Sequence, residues 1–322
     1  MGNSERVLVT GGAGFIGSHL CEALLGQGRE VLILDNFNDF YDPAIKRRNI
    51  ASALTNSACS ITEGDIRDEG LVKQLMISFR PQAVIHLAAM AGVRPSIKKP
   101  LLYNDVNIAG TTVLLEAVRE HPVDNFIFGS SSSVYGHRDK VPFCEEDVLS
   151  RPISPYAATK LAGEQLCFTY HHLYGIPVTC HRFFTVYGPR QRPEMAIHLF
   201  ARKILDGEGI TLFGDGSARR DYTYIDDIIH GVMRSLERPQ GFEVFNLGES
   251  RTVGLLEMVS LLEEAIGRKA QVRFEPDQPG DVPLTCADVT KAGRILGYEP
   301  SVPIEEGISL FVKWLKTSRQ EA

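Results

Sequence analysis

A run of eight residues, Thr10-Gly11-Gly12-Ala13-Gly14-Phe15-Ile16-Gly17, constrains this chain more than any other part of it. It leaves an apolar stretch, Arg6-Val7-Leu8-Val9-Thr10, that reads as a buried strand. It opens a helical pattern near Phe15 to Leu25, followed by a second strand, Glu30-Val31-Leu32-Ile33-Leu34. Strand, glycine turn, helix and strand make the βαβ unit that holds a dinucleotide. Gly11 permits the tight turn, Gly14 lets backbone amides approach a pyrophosphate, and Gly17 lets the helix pack closely on the strand. Amides at the helix start, around Phe15 and Ile16, offer the phosphates free N–H groups and a partial positive charge. Asp35 ends the second strand, where a carboxylate accepts from both ribose hydroxyls and repels a 2'-phosphate. NAD is therefore expected rather than NADP, with Asn36 beside Asp35 in the same wall.

The alternation continues through Cys59-Ser60-Ile61-Thr62, a helix near Asp68 to Phe79, Ala83-Val84-Ile85-His86-Leu87, a helix near Leu101 to Glu120, and Asn125-Phe126-Ile127-Phe128. Such repetition predicts an α/β fold with a doubly wound parallel sheet of the Rossmann type. After Pro177-Val178-Thr179-Cys180-His181-Arg182-Phe183 the rhythm breaks at Tyr187-Gly188-Pro189-Arg190. A nucleotide-binding domain is expected over 1–183, joined by roughly 224–247, with a smaller α/β substrate-binding lobe mainly over 184–322 and the active site in the cleft between them. Asp65 and Ile66, after the third strand, are placed beside adenine. Leu87, Ala88 and Ala89 end the fourth strand, where the cofactor's backbone should pass. Asn107 is expected to reach from its helix into the interior, capping a strand or positioning catalytic groups.

With 322 residues, 43% hydrophobic and 23% charged, the chain can bury a full core. Its net charge of -6 argues against nucleic-acid binding. No apolar stretch is long enough for a membrane span, and Met1-Gly2-Asn3-Ser4-Glu5-Arg6 lacks the apolar core of a signal peptide. Arg6 also stands where N-myristoylation after Gly2 requires Ser or Thr. A cytoplasmic protein is expected. Six cysteines, none closely paired, suggest neither a metal site nor a disulfide framework.

Tyr156 and Lys160 lie four residues apart in Ser154-Pro155-Tyr156-Ala157-Ala158-Thr159-Lys160. A helix starting near Ser154 puts phenol and ammonium on one face, an arrangement that favours phenolate. Lys160 and an oxidised nicotinamide would lower the phenol by about two or three pH units, at about 1.4 kcal/mol each, and yield a general base near neutrality.

Together with Asp35-Asn36-Phe37-Asn38-Asp39-Phe40-Tyr41-Asp42-Pro43, Ala91-Gly92-Val93-Arg94, Ser131-Ser132-Ser133-Val134-Tyr135-Gly136 and Arg182-Phe183-Phe184-Thr185-Val186-Tyr187-Gly188-Pro189-Arg190, these motifs resemble the extended short-chain dehydrogenase/reductases, and within them the UDP-glucuronate 4-epimerases. The resemblance runs along nearly the whole chain. It implies a UDP-hexuronate substrate, tightly held NAD and a homodimer formed through helices flanking the nucleotide domain. It assigns Ser131 to assist Tyr156, Arg220 to the diphosphate, and Arg192 to either the uridine or the sugar carboxylate. Asp281 is assigned to the uridine ribose or to a turn cap. Several relatives carry a second phosphate-binding arginine near the Gly280-Asp281 pair, where this chain has Gln278. Related dehydratases carry Asp-Glu where Ser132 and Ser133 stand, and hydroxyls do not protonate a leaving group as a carboxylic acid does.

The implied chemistry removes the 4-hydroxyl proton while hydride passes from C4 to NAD, and then returns hydride to the opposite face of the ketone. The 4-ketone makes the C6 carboxylate prone to leave as CO₂, so donors must pin it out of alignment with the carbonyl. Ser132, Ser133, Thr185 and Arg192 are the candidates. UDP-glucuronate decarboxylase, a UDP-glucose or UDP-galactose 4-epimerase, and an NAD-sensing scaffold remain the alternatives.

Overall fold

The computed structural model describes residues 5–320 apart from 139, 150 and 240; residues 1–4, including the Gly2 position considered above, lie outside the described residues. The strands are β1 (Arg6–Thr10), β2 (Glu30–Asp35), β3 (Cys59–Glu63), β4 (Ala83–His86), β5 (Asn125–Ser131) and β6 (Val178–Phe183). They continue as β7 (Thr185–Tyr187), β8 (Gly209–Phe213), β9 (Arg219–Tyr224), β10 (Phe242–Leu247), β11 (Thr252–Gly254) and β12 (Gln271–Glu275). Seven of them form one parallel sheet of order β10-β6-β5-β4-β1-β2-β3. The chain winds outward in one direction from β1 and in the other from β4. Their adjacent carboxyl ends make the switch point where such sheets take ligands. The small sheets β11-β9-β7 and β12-β8 complete the fold.

Strands buried on both faces read as continuous apolar runs because side chains alternate between two cores. Val7, Val9, Val31, Ile33 and Ile85 pack with Leu20 and Leu24 on one side. Leu8, Leu32, Leu34, Val84, Phe126 and Phe128 pack with Val72, Met76, Leu114 and Val118 on the other. Each such burial contributes about 1.5–3 kcal/mol. The first cluster continues without a break to Tyr187, Ile210, Met258 and Phe311, so material after residue 184 shares a core with the sheet.

Two elements depart from the expected outline. β5 runs past Phe128 to Ser131 because its register with β6 persists through Ser130 opposite Arg182 and Ser131 opposite Phe183. The expected Leu101 to Glu120 helix is broken by a π turn, Asp105–Ala109, between helices Pro100–Asn104 and Gly110–Glu120. There the Thr111 and Thr112 hydroxyls donate to the carbonyls of Asn107 and Ile108 at 2.6 and 2.9 Å, competing with the helical ladder. His86 is a core histidine, 2.8 Å from the Thr10 hydroxyl and 2.9 Å from that of Thr111, and burial lowers its pKa to about 3. All six cysteines are free.

Candidate active site

Two hollows lie at opposite ends of the large sheet. One of about 550 Å³, bordered by Arg6, Arg80, His121 and Asp124, contains none of the expected site residues. The other, about 380 Å³, opens at the carboxyl ends of the strands. Its wall brings together Gly11, Gly14, Phe15, Ile16 and Gly17 with Asp35, Asn36, Asp65, Ile66, Leu87, Ala88 and Ala89. Ser131, Ser132, Ser133, Tyr156, Lys160, Thr185 and Arg192 line the same cleft. Asn107, Arg220 and Asp281 are not part of that wall.

On the cofactor side, Gly11 has φ +70°, and a Cβ there would lie 2.6 Å from the Ala88 nitrogen. A Cβ at Gly17 would collide with the Gly11 carbonyl, whereas one at Gly14 would meet only that carbonyl, at 3.2 Å. Helix Phe15–Gly26 starts at Gly14 without a capping side chain, so an anion in the cleft would complete its first-turn amides. These features fit a dinucleotide's pyrophosphate. The Asp35 carboxylate accepts from the backbone N–H groups of Ala13 at 3.1 Å and Phe37 at 2.9 Å, and Asn49 donates to the Ala13 carbonyl at 3.2 Å. Burial raises the Asp35 pKa, opposed by those amides and by Lys46.

Asp65 is more committed than expected. Its carboxylate accepts from the Arg67 backbone, the Arg67 side chain and Asn36, each at 2.9 Å, and Arg67 is the main cause holding its pKa at about 2. It is first a turn cap, with its edge on the cleft. Asn107 stands behind the wall, donating to the Met90 carbonyl at 2.9 Å and the Thr159 hydroxyl at 3.0 Å while accepting from Met90 N–H at 2.8 Å. It thereby pins the β4 exit to the tyrosine helix.

That helix, Pro155–Tyr174, begins where the Ser154 hydroxyl accepts from Ala157 N–H at 3.1 Å, with proline in the first turn. Tyr156 and Lys160 share one face as expected, but the expected charge effect differs. Lys160 donates to the Gly129 carbonyl at 2.6 Å. Burial lowers its pKa to about 8, against the pull of Cys167 and Glu164. Burial likewise raises the Tyr156 phenol, and the groups that draw it down are Ser131 and Arg192. In the protein alone desolvation outweighs attraction at the phenol; the expected phenolate also draws on an oxidised nicotinamide. Ser131 ends β5, accepting from Ser133 N–H at 3.2 Å and donating to the Ser133 hydroxyl at 3.1 Å.

Arg192 reaches the cleft with its guanidinium 5.5 Å from the Phe40 ring centre and its Nε 3.1 Å from Glu194. Arg190 instead pairs with Glu22 at 2.7 Å. On the other lobe, Arg220 of β9 is half-buried, and its guanidinium donates to the Arg219 carbonyl at 3.0 Å. Asp281 is taken by Arg94 at 2.6 Å, and Arg94 also lies 4.6 Å over the Phe213 ring.

Sequence reasoning left out Lys46, buried beside Asp35 and donating to Asn38, and Tyr41 beneath its ammonium at 4.9 Å. The signal was present, since Lys46 and Asn49 sit three apart on one helix face behind the carboxylate.

The GDP-mannose 4,6 dehydratase family profile matches residues 8–311. UDP-glucuronate 4-epimerase 4 of Arabidopsis thaliana is 43% identical over 330 residues, which cover 97% of this chain and 75% of the relative. The UDP-glucuronate 4-epimerase of Thermodesulfobacterium geofontis is 42% identical, with 96% of this chain and 95% of the relative covered. The crystal structure of UDP-glucuronic acid 4-epimerase from Bacillus cereus in complex with UDP-glucuronic acid and NAD has a TM-score of 0.92 and 41% identity, covering 97% of this chain and 99% of that one. A profile spanning almost the entire chain, supported by relatives above 40% identity in sequence and in structure, establishes that it belongs to the extended short-chain dehydrogenase/reductase family, in the branch described by that profile.

Proposed function

We propose that this protein interconverts UDP-glucuronate and UDP-galacturonate by epimerisation at C4, with the carboxylate retained. The supporting observation is that Ser132, Ser133, Thr185 and Arg192 line the same cleft as Ser131 and Tyr156, with the charge of Arg192 near enough to draw the phenol down. Bound NAD supplies the hydride acceptor and donor. Gly14, Phe15, Ile16 and Asp35 hold it, while Leu87, Ala88 and Ala89 leave room for its backbone. Tyr156 takes the O4 proton, Ser131 hydrogen-bonds the reacting oxygen, and Lys160 supports the phenolate. Ser132, Ser133, Thr185 and Arg192 hold the carboxylate away from the alignment that would release CO₂. In this reading Arg220 takes the diphosphate and Asp281 the uridine ribose once freed from Arg94.

The reading includes a nucleotide domain of 1–183 joined by roughly 224–247, a substrate lobe mainly over 184–322, and a cytoplasmic homodimer. Leu101, Phe168 and Leu173 are exposed apolar side chains on the flanking helices, and sedimentation would measure the assembly. No helix among the described residues is long and apolar enough to cross a membrane. Incubation of the purified protein with UDP-glucuronate should yield a nucleotide sugar of unchanged mass and new retention. Loss of CO₂ would assign decarboxylation instead. Tyr156→Phe should cut turnover about 10²–10⁴-fold, and near-normal turnover would remove the mechanism.

A further inference from the structure

Tyr156, Lys160 and Glu164 form one stripe along the tyrosine helix, each one turn beyond the last. The third member is an acidic side chain only 2% exposed, and the chemistry above does not use it. Its partner is Arg182 of β6, itself 4% exposed, which donates to the carboxylate from Nε at 3.0 Å and from Nη2 at 2.8 Å. A fork of this kind is directional as well as strong. The same carboxylate accepts from the Ser130 hydroxyl at 2.6 Å. Arg182 also donates from Nη1 to the Tyr135 hydroxyl at 3.0 Å, which in turn donates to Asn246 of β10 at 2.7 Å.

These contacts have a simple arrangement along the chain. Ser130 lies immediately before Ser131, and Tyr135 closes the 3-10 turn Ser132–Tyr135. The segment carrying Ser131, Ser132 and Ser133 is therefore fastened at both ends to one buried ion pair. Half of that pair belongs to the helix that carries Tyr156 and Lys160.

We propose that Glu164, with Arg182, is a positioning pair: it fixes the serine segment against the tyrosine helix, and so determines whether the oxidised sugar keeps its carboxylate. The inference rests on the epimerase reading above. In the failing branch the C5–C6 bond of the 4-keto sugar breaks and its electron pair enters the C4 carbonyl as an enolate. CO₂ departs, and a proton from water restores C5. The product is a UDP-4-ketopentose, which becomes a UDP-pentose when the hydride taken from C4 is returned and O4 is reprotonated, in place of a UDP-hexuronate. Hydroxyls displaced by a fraction of an ångström lose their hold on the carboxylate without emptying the site.

Three variants test this, each checked for thermal melting and NAD content before assay with UDP-glucuronate. Ser130→Ala releases one end of the segment and Tyr135→Phe the other. A double variant, Glu164→Leu with Arg182→Met, removes the pair without leaving a lone buried charge, and such exchanges are commonly neutral for stability. Each should lower kcat about tenfold while raising the share of UDP-pentose and CO₂ in the product several-fold over wild type. If the double variant does not fold, the two single variants decide. A purely structural role would lower melting or kcat without moving the product ratio, and an unchanged ratio in folded variants overturns the inference. A wild-type protein that forms no UDP-galacturonate overturns the epimerase reading itself, whereas an active wild type with ratio-neutral variants overturns only the positioning pair.

Discussion

Arg182 and Arg220 are both withdrawn from water, yet the fold treats them in opposite ways. Arg182 is held bidentately by Glu164, and although burial works against its charge, that carboxylate keeps its pKa above the ordinary value. Arg220 has no ion pair among the described residues; burial pulls its pKa down, and the carboxylate nearest in role, Asp281, is bonded to Arg94. A guanidinium whose charge is answered inside the protein builds the frame. One whose charge is not answered is a place for an anion to arrive.

The sharpest test of that contrast is the single change Arg182→Met. It should strand Glu164 as a lone buried carboxylate and cost about 3–5 kcal/mol in chemical denaturation. Arg220→Met should leave unfolding within about 0.5 kcal/mol of wild type yet weaken UDP binding about 10- to 100-fold by calorimetry. Equal stability losses for the two variants would erase the distinction. Asp281→Asn is a smaller intervention. It breaks a surface pair of little stabilising value and weakens the acceptor assigned to the uridine ribose, so UDP should bind about threefold more weakly. Unchanged or tighter binding would confine Asp281 to its pair with Arg94.

The smallest effect extends the contrast to carboxylates. Glu249 has a buried oxygen with no hydrogen-bond partner, and burial, with Asp227 and Asp221 nearby, raises its pKa from 4.5 to about 7. The folded protein therefore binds this proton more tightly than the unfolded chain does. Stability from this group is complete below pH 4.5 and is lost as pH rises through 7. Melting temperature should fall over that window in wild type, and the fall should be shallower in Glu249→Gln.

The same contrast explains what could be read from the chain in advance. The glycine turn, the alternation of strands and helices, and the Tyr156–Lys160 pair depend on neighbours within a few residues, where spacing carries the information. Ser131 and Arg192 came from resemblance, and the cleft holds both. Glu164 escaped notice although it lies two turns beyond Tyr156 on the same face, because its partner is on another strand and spacing alone does not specify that partner. The strength of the relation between Lys160 and Tyr156 is not legible in spacing for a different reason. Sequence shows which charges are adjacent, but the balance between attraction and lost hydration depends on burial and on the Gly129 carbonyl that captures the ammonium.

Ala13 has both of its peptide groups fastened, the N–H to Asp35 and the C=O to Asn49. Fixing one residue's backbone costs about 1–2 kcal/mol, and here folding has already met that cost before any ligand arrives. A loop with so little disorder left to surrender turns more of its contact energy into residence time. In the proposed epimerisation the dinucleotide ends each cycle in the state in which it began, so long residence would be no obstacle to turnover, since only the sugar nucleotide would need to leave between cycles.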